Sequence, residues 1–390
     1  MQGTYCESII KLHSETENII PGEIIPINVD DVFMQDSTFL ALRQFFVESL
    51  NQLANIKFYI SQTSAVKKID GYTSLEKYIE SLPVKLKVKL FENCKGNWNF
   101  QLFKKKLIKP HSIFIGRGST LNFFSPLGNL NICAGKTDII KLLKTQTYDF
   151  FVPKIVQVDL NGDLPPLISG KDIALFLQKQ LSPELESGNY ILEFSGSIIN
   201  SLKKNELATI ALHNLKLNVM AFTFPPSKWD VENAKYHKRF KFDLSKMPSF
   251  IEYNNEIIDL RDLKYTRIDK VYIGNSYGGS IKDFEYIAGA LRNKKIKIPC
   301  FITPETLKEF ILAAEQGYIN EILKSGCTIL HPPEDNLYIS NKMNPFEGEN
   351  IFVTAIDNHT INSCNIFNYY SGSLSIAINV ALTGGLGVKV

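Results

Sequence analysis

Short apolar runs alternate with amphipathic stretches along most of the chain. Val271-Tyr272-Ile273 reads as a buried strand, and a turn of small residues follows it (Gly274, Asn275, Ser276, Gly278, Gly279, Ser280). Ile281, Phe284, Ile287, Ala288 and Leu291 then recur at helical spacing, with Asp283 and Glu285 in the first turn. The same reading predicts a helix from Tyr5 to His13, a strand Ile24 to Val29, and a helix from Phe39 to Leu53 capped by Ser37 or Thr38. Gln35 and Asp36 fall on the loop before that helix. Further strands are expected at 56–62, 113–115, 154–160 and 190–194. Helices are expected from Ser169 to Leu181, Glu206 to Leu215 and Glu305 to Glu315. Strands alternating with helices of this length predict an α/β protein. Breaks at Val152-Pro153 and near Ile251 divide it into three expected domains, 1–152, 153–250 and 251–390.

Composition narrows the class of partner. Of 390 residues, 44% are hydrophobic and 21% charged, and the net charge of +3 is too small to point to nucleic acid or a membrane surface. No apolar stretch is long enough to span a bilayer, and no secretory leader is visible before Glu7, Lys11, Glu15 and Glu17. The cysteines (Cys6, Cys94, Cys133, Cys300, Cys327, Cys364) are scattered, with no C-x-x-C. That pattern fits reduced thiols better than a disulfide framework or a metal site, and a cytoplasmic location is expected.

A strand ending in a glycine turn at a helix N-terminus is a place where α/β proteins bind anions, although many such turns are only tight connections. The turn Gly274-Asn275-Ser276-Tyr277-Gly278 resembles the strand–turn–helix of the aconitase / 3-isopropylmalate dehydratase family, whose turn reads G-S-C-T-N. Ser276 stands where that family's cluster cysteine belongs. The resemblance extends along the chain. Val29-Asp30-Asp31-Val32 with Gln35-Asp36-Ser37-Thr38 is similar to the family's opening motif, and Gln35 retains a substrate-contacting position. Gly96 to Asn99 matches a G-I-x-H segment, with Asn99 for the His. Gly118-Ser119-Thr120 matches a D-S-H loop that keeps only Ser119, and Leu212 and Lys216 replace the Asn and Glu of T-I-C-N-M-x-x-E. Glu334 and Leu337 fall at the other two cluster positions. Asp357-Asn358-His359 replaces an Arg-containing loop in which Asn358 persists.

The resemblance implies three α/β/α domains of the aconitase large-subunit type around a central cleft, with the fourth, swivel, domain absent. It also implies that the [4Fe–4S] chemistry of the family is lost, because a hydroxyl, a carboxylate and an alkyl group cannot replace three thiolates. No cofactor is therefore expected. One reading is a cluster-free lyase or isomerase acting on a small anionic carboxylate by acid/base chemistry. Its candidate catalytic residues are Lys216, Ser276, Glu334 and His359, and its candidate substrate-binding residues are Gln35, Asp36, Ser119, Tyr277, Asp357 and Asn358. For each residue the plain alternative is a solvated or salt-bridged side chain, and His213 is expected to be a packed side chain. The alternative for the whole chain is a non-catalytic scaffold that holds a small swivel-domain subunit.

Overall fold

A computed structural model describes residues 3–49, 53, 55–62, 74–82, 86–92, 95–117, 119–185, 189–230, 232–274, 278–332, 348–354 and 368–387. Strand β1 (Ile24–Asn28) leads into a five-stranded parallel sheet formed by β2 (Asp31–Gln35), β3 (Lys57–Gln62), β4 (Lys87–Glu92), β5 (Ile113–Gly116) and β6 (Leu130–Cys133), in the order β4-β3-β2-β5-β6. β1 pairs antiparallel with β7 (Thr147–Phe151). A second parallel sheet, β10-β9-β8-β11, follows from β8 (Lys154–Asn161), β9 (Tyr190–Ser195), β10 (Ala221–Thr223) and β11 (Lys238–Asp243).

The third sheet is mixed. It contains β12 (Phe250–Tyr253), β13 (Glu256–Asp259), β15 (Lys270–Gly274), β16 (Cys300–Thr303), β17 (Thr328–Ile329), β18 (Asn350–Val353) and β19 (Asn368–Ser371), in the order β13-β12-β19-β18-β15-β16-β17. Its five strands from β19 to β17 run parallel, and β12 and β13 close one edge antiparallel. A short pair, β14 (Thr266–Arg267) with β20 (Gly385–Leu386), lies outside it. The α/β class is as expected.

Contacts group the chain into two compact units. The first is Met1–Glu92, Leu102–Leu164 and Pro183–Lys246, and holds the first two sheets. The second is Asn93–Gln101, Pro165–Ser182 and Met247–Val390, and holds the third. The break expected at 152/153 separates two sheets inside one unit. Each unit has its own apolar core. In the first, Val32, Phe58, Ile60, Ile113 and Ile115 of the sheet bury against Phe39, Leu42 and Phe46 of one helix and Ile139, Leu142 and Leu143 of another. In the second, Val271, Ile273 and Ile302 pack with Phe284, Ile287, Ala288 and Leu291, the stripe that predicted the helix Ile281–Leu291.

Several element starts shift. The helix expected from Phe39 begins at Asp36, directly after β2, and runs to Ser49. No loop separates them, so Gln35 is the last residue of β2 and Asp36 the first of the helix. The Asp36 carboxylate accepts from the Ser37 N–H at 2.7 Å, which lets the strand turn into the helix without a separate capping residue. The helix placed at Ser169 to Leu181 is Gly170–Leu181 with Ser169 as its N-cap.

Candidate functional site

The glycine turn after β15 has a packing explanation. Gly274 has φ +105°, and a Cβ there would lie 2.1 Å from the carbonyl oxygen of Thr303; a Cβ on Gly279 would lie 2.3 Å from the same oxygen. These two glycines let the turn cross the end of β16 at backbone contact. The N-terminus of the helix Ile281–Leu291 is also filled from within. Asp283 accepts from the Ser280 N–H at 2.9 Å and its hydroxyl at 2.7 Å, and Glu309 accepts from the Ile281 N–H. Two carboxylates supply the negative charge that the helix dipole favours. Of the two readings of this turn, tight connection or anion site, the Ser280 and Ile281 N–H groups fit the tight connection.

Polar burial in the second unit instead concentrates at the C-terminal ends of its parallel strands, the edge where open α/β sheets receive ligands. Past β18, the Thr354 hydroxyl accepts from the Gly274 N–H at 3.0 Å. Lys171, with no exposed surface, reaches the same edge from the helix Gly170–Leu181. Its Nζ donates to Ser371 Oγ at 2.7 Å and to the Thr354 carbonyl at 3.5 Å. Next to it Asp172 accepts from the Ser169 N–H and hydroxyl; burial pushes its carboxyl pKa up and these hydrogen bonds oppose the rise. At the end of β16, Thr303 is buried and its hydroxyl has no hydrogen-bond partner among the described residues.

Asn99, at the position where the family resemblance calls for His, is 4% exposed, and its side-chain carbonyl is likewise without a partner among the described residues. Its segment joins this neighbourhood because Gly96 pairs with Thr306, and a Cβ on Gly96 would lie 2.6 Å from the Glu305 carbonyl oxygen. A buried polar atom left without a partner costs about 1–3 kcal/mol. The strand-end edge of this unit thus carries a buried lysine, and Thr303 at the end of β16 keeps an unpartnered hydroxyl among the described residues, a setting suited to a small polar ligand.

The first unit holds Gln35, Asp36, Ser119 and Lys216. Gln35 pairs in register with Ser61 at the C-terminal end of the first sheet, and Ser119 opens a 3-10 stretch, Ser119–Leu127, just beyond β5. Gln35 thus ends β2 and Ser119 follows the neighbouring β5 at the same sheet edge. Gln35 is exposed, whereas Asp36 is wholly buried. The helix Lys204–His213 packs against Ser119–Leu127, and Lys216 lies in the 3-10 turn Asn214–Leu217 that follows it. Lys216 is exposed by surface area, yet protein crowding around its amine pulls the pKa down to about 8. His213 is buried, as expected of a packed side chain. Ser276, Tyr277, Glu334, Asp357, Asn358 and His359 lie outside the described residues.

Sequence reasoning missed Lys171, reading Ser169-Gly170-Lys171-Asp172 as a capped helix start and nothing more. One signal was available. A lysine in the first turn opposes the helix dipole, so its place there needs a reason outside the helix.

The aconitase family profile (aconitate hydratase) matches residues 91–221. Among similar curated proteins, the 3-isopropylmalate dehydratase large subunit of Pyrobaculum islandicum is 26% identical over 273 residues, covering 65% of this chain and 66% of its own length. That of Clostridium botulinum is 25% identical over 361 residues, covering 84% and 85%. Large subunit 1 of Pyrococcus abyssi is 24% identical over 363 residues, covering 85% and 84%.

Proposed function

The chain belongs to the aconitase / 3-isopropylmalate dehydratase large-subunit family, and from that premise we propose that it binds a small carboxylate and moves protons on it without an iron–sulfur cluster. Hydratase/dehydratase-like character follows from the family; the cluster-free chemistry is the proposal. The observation that carries it is the strand-end group of the second unit, where the buried Lys171 ammonium sits beside Ser371 and Thr354. Buried polar groups gathered at the C-terminal ends of parallel strands stand where open α/β sheets receive ligands, and an amine there suits a carboxylate. Lys216 of the first unit is a separate acid/base candidate, because its pKa near 8 populates both protonation states around neutral pH.

The donor set argues against the family cluster. Ser276, Glu334 and Leu337 occupy its thiolate positions, and leucine offers no donor at all. Cys327 precedes β17, level with the start of β16, which is the opposite end from Thr303, Thr354 and Ser371. Elimination, isomerisation or cyclisation of a hydroxy acid related to 3-isopropylmalate is the reaction class proposed, with Ser276, Glu334 and His359 as further acid/base candidates.

Two measurements test this. Anaerobically purified protein should contain no stoichiometric iron or acid-labile sulfide, and finding both would overturn the cluster-free reading. Calorimetric titration with 3-isopropylmalate or a similar hydroxydicarboxylate should show binding that Lys216→Ala weakens at least roughly tenfold, about 1.4 kcal/mol. Absence of any carboxylate binding would favour the second reading, a scaffold for a small-subunit partner, which the naming of the relatives as large subunits supports.

A further inference from the structure

Cysteines that are scattered in sequence meet in the third sheet. β16 and β17 pair in parallel, with Phe301 opposite Thr328 and Ile302 opposite Ile329, so Cys300 and Cys327 stand opposite each other one step earlier in the same register. Both side chains point into the core of the second unit, at 2% and 4% exposure, and both are free thiols. The Ser325 hydroxyl donates to Cys327 Sγ at 3.4 Å. Adjacent strands lie about 4.8 Å apart, inside the roughly 4.4–6.8 Å span of Cα atoms joined by a disulfide.

We propose that Cys300 and Cys327 form a peroxide-oxidisable dithiol that closes into a disulfide stapling β17 to β16. Cys327 is the attacking thiol. It accepts from the Ser325 hydroxyl and directly precedes the strand that opens, whereas Cys300 lies within β16. Cys327 Sγ attacks one oxygen of hydrogen peroxide; an S–O bond forms, the O–O bond breaks, and the departing hydroxide leaves as water after taking a proton. Cys300 Sγ then attacks the sulfenic sulfur; the S–S bond forms, the S–O bond breaks, and a second water leaves with the Cys300 proton. Two thiols lose two electrons and one peroxide becomes two waters.

Access comes from the position of β17. Among the described residues it is a two-residue strand at the edge of the sheet, preceded by Gly326 at φ +100°. Opening such an edge breaks few hydrogen bonds and exposes Cys327 while β16 stays paired to β15.

The test uses the full chain with a small molar excess of hydrogen peroxide, followed by denaturation in N-ethylmaleimide, digestion and mass spectrometry. The expected result is a linked pair of peptides carrying Cys300 and Cys327, lighter by two hydrogens, as the dominant oxidised product. In Cys300→Ala, oxidation should stop at a Cys327 sulfenic acid that takes up dimedone. Recovery of both residues alkylated while the exposed Cys133 oxidises, or a disulfide joining a different pair, overturns the proposal. If Cys300→Ala fails to fold by circular dichroism, the wild-type peptide map decides the matter alone.

Discussion

Glu193 in the first unit and Lys171 in the second are both fully buried ionisable side chains, but they are surrounded differently. The Glu193 carboxylate accepts from the Tyr5 N–H at 3.2 Å, the Cys6 N–H at 3.0 Å, the Thr223 hydroxyl at 3.4 Å and the Tyr236 hydroxyl. Burial pushes its pKa up and these four donors pull against the rise. The group lies at the N-terminus of the helix Tyr5–His13, where it adds to the Thr4–Glu7 capping box, and its donors are a helix start and core hydroxyls. That is a structural clamp. Lys171 lies at the ligand-receiving end of parallel strands, where it donates to Ser371 Oγ and the Thr354 carbonyl. The comparison shows that burial alone does not mark a functional charge; the nature of its neighbours and the end of the sheet it occupies do.

The largest expected effect separates the two. Glu193→Leu removes an acceptor from four donors, three of them buried, and should lower stability by at least about 3 kcal/mol, read by urea denaturation. Carboxylate affinity of the molecules that remain folded should be unchanged; a loss of affinity beyond the unfolded fraction would erase the distinction. Lys171→Met, close in volume, should change stability less than Glu193→Leu. It should also weaken carboxylate binding at least tenfold, about 1.4 kcal/mol. A stability loss as large as that of Glu193→Leu with binding intact would make Lys171 a second clamp.

A smaller effect sharpens the structural side. His13 Nε2 meets Asp30 Oδ2 at 2.7 Å while Nδ1 meets the Ile9 carbonyl at 2.8 Å. Burial lowers the His13 pKa, but the Asp30 and Ile9 hydrogen bonds outweigh it and leave the pKa raised. For Asp30, burial raises the pKa and the His13, Ile113 and Lys57 interactions leave it lowered. The histidine's contribution to stability is therefore full below its unfolded pKa, near 6.5, and is lost as pH rises through the folded value. The aspartate's contribution is present above its unfolded pKa and is lost as pH falls through the folded value. Thermal melts should show His13→Asn destabilising near pH 6 and converging on the wild type toward pH 9. A constant difference across that range would mean that the ring contributes by packing rather than charge.

Much of the fold was legible because each helix repeats its own period. The stripe Phe284, Ile287, Ala288, Leu291 set the bounds of the helix Ile281–Leu291, and Tyr5–His13 was read with both ends in place. The start at Asp36 was not legible, since Ser37 and Thr38 look like caps and a strand can pass straight into a helix. At the site, the glycines after β15 could be read as a tight connection or as a place for a ligand, because nothing local reveals that the Thr303 carbonyl occupies the space a Cβ would need. Lys171 and the Cys300–Cys327 pair escaped for a related reason. Their meaning depends on strand order and register, which join residues 27 to 200 positions apart.

The Glu193 clamp also sets a clock. Its bond to the Tyr5 N–H spans 188 residues. At about 5–20 residues per second of synthesis, the helix Tyr5–His13 waits roughly 10–40 s for the carboxylate that completes its cap. A nine-residue helix is marginal by itself in water. Through that interval Tyr5, Cys6, Ile9 and Ile10 have no finished core to enter, which makes this segment the natural one for a nascent-chain chaperone to shield.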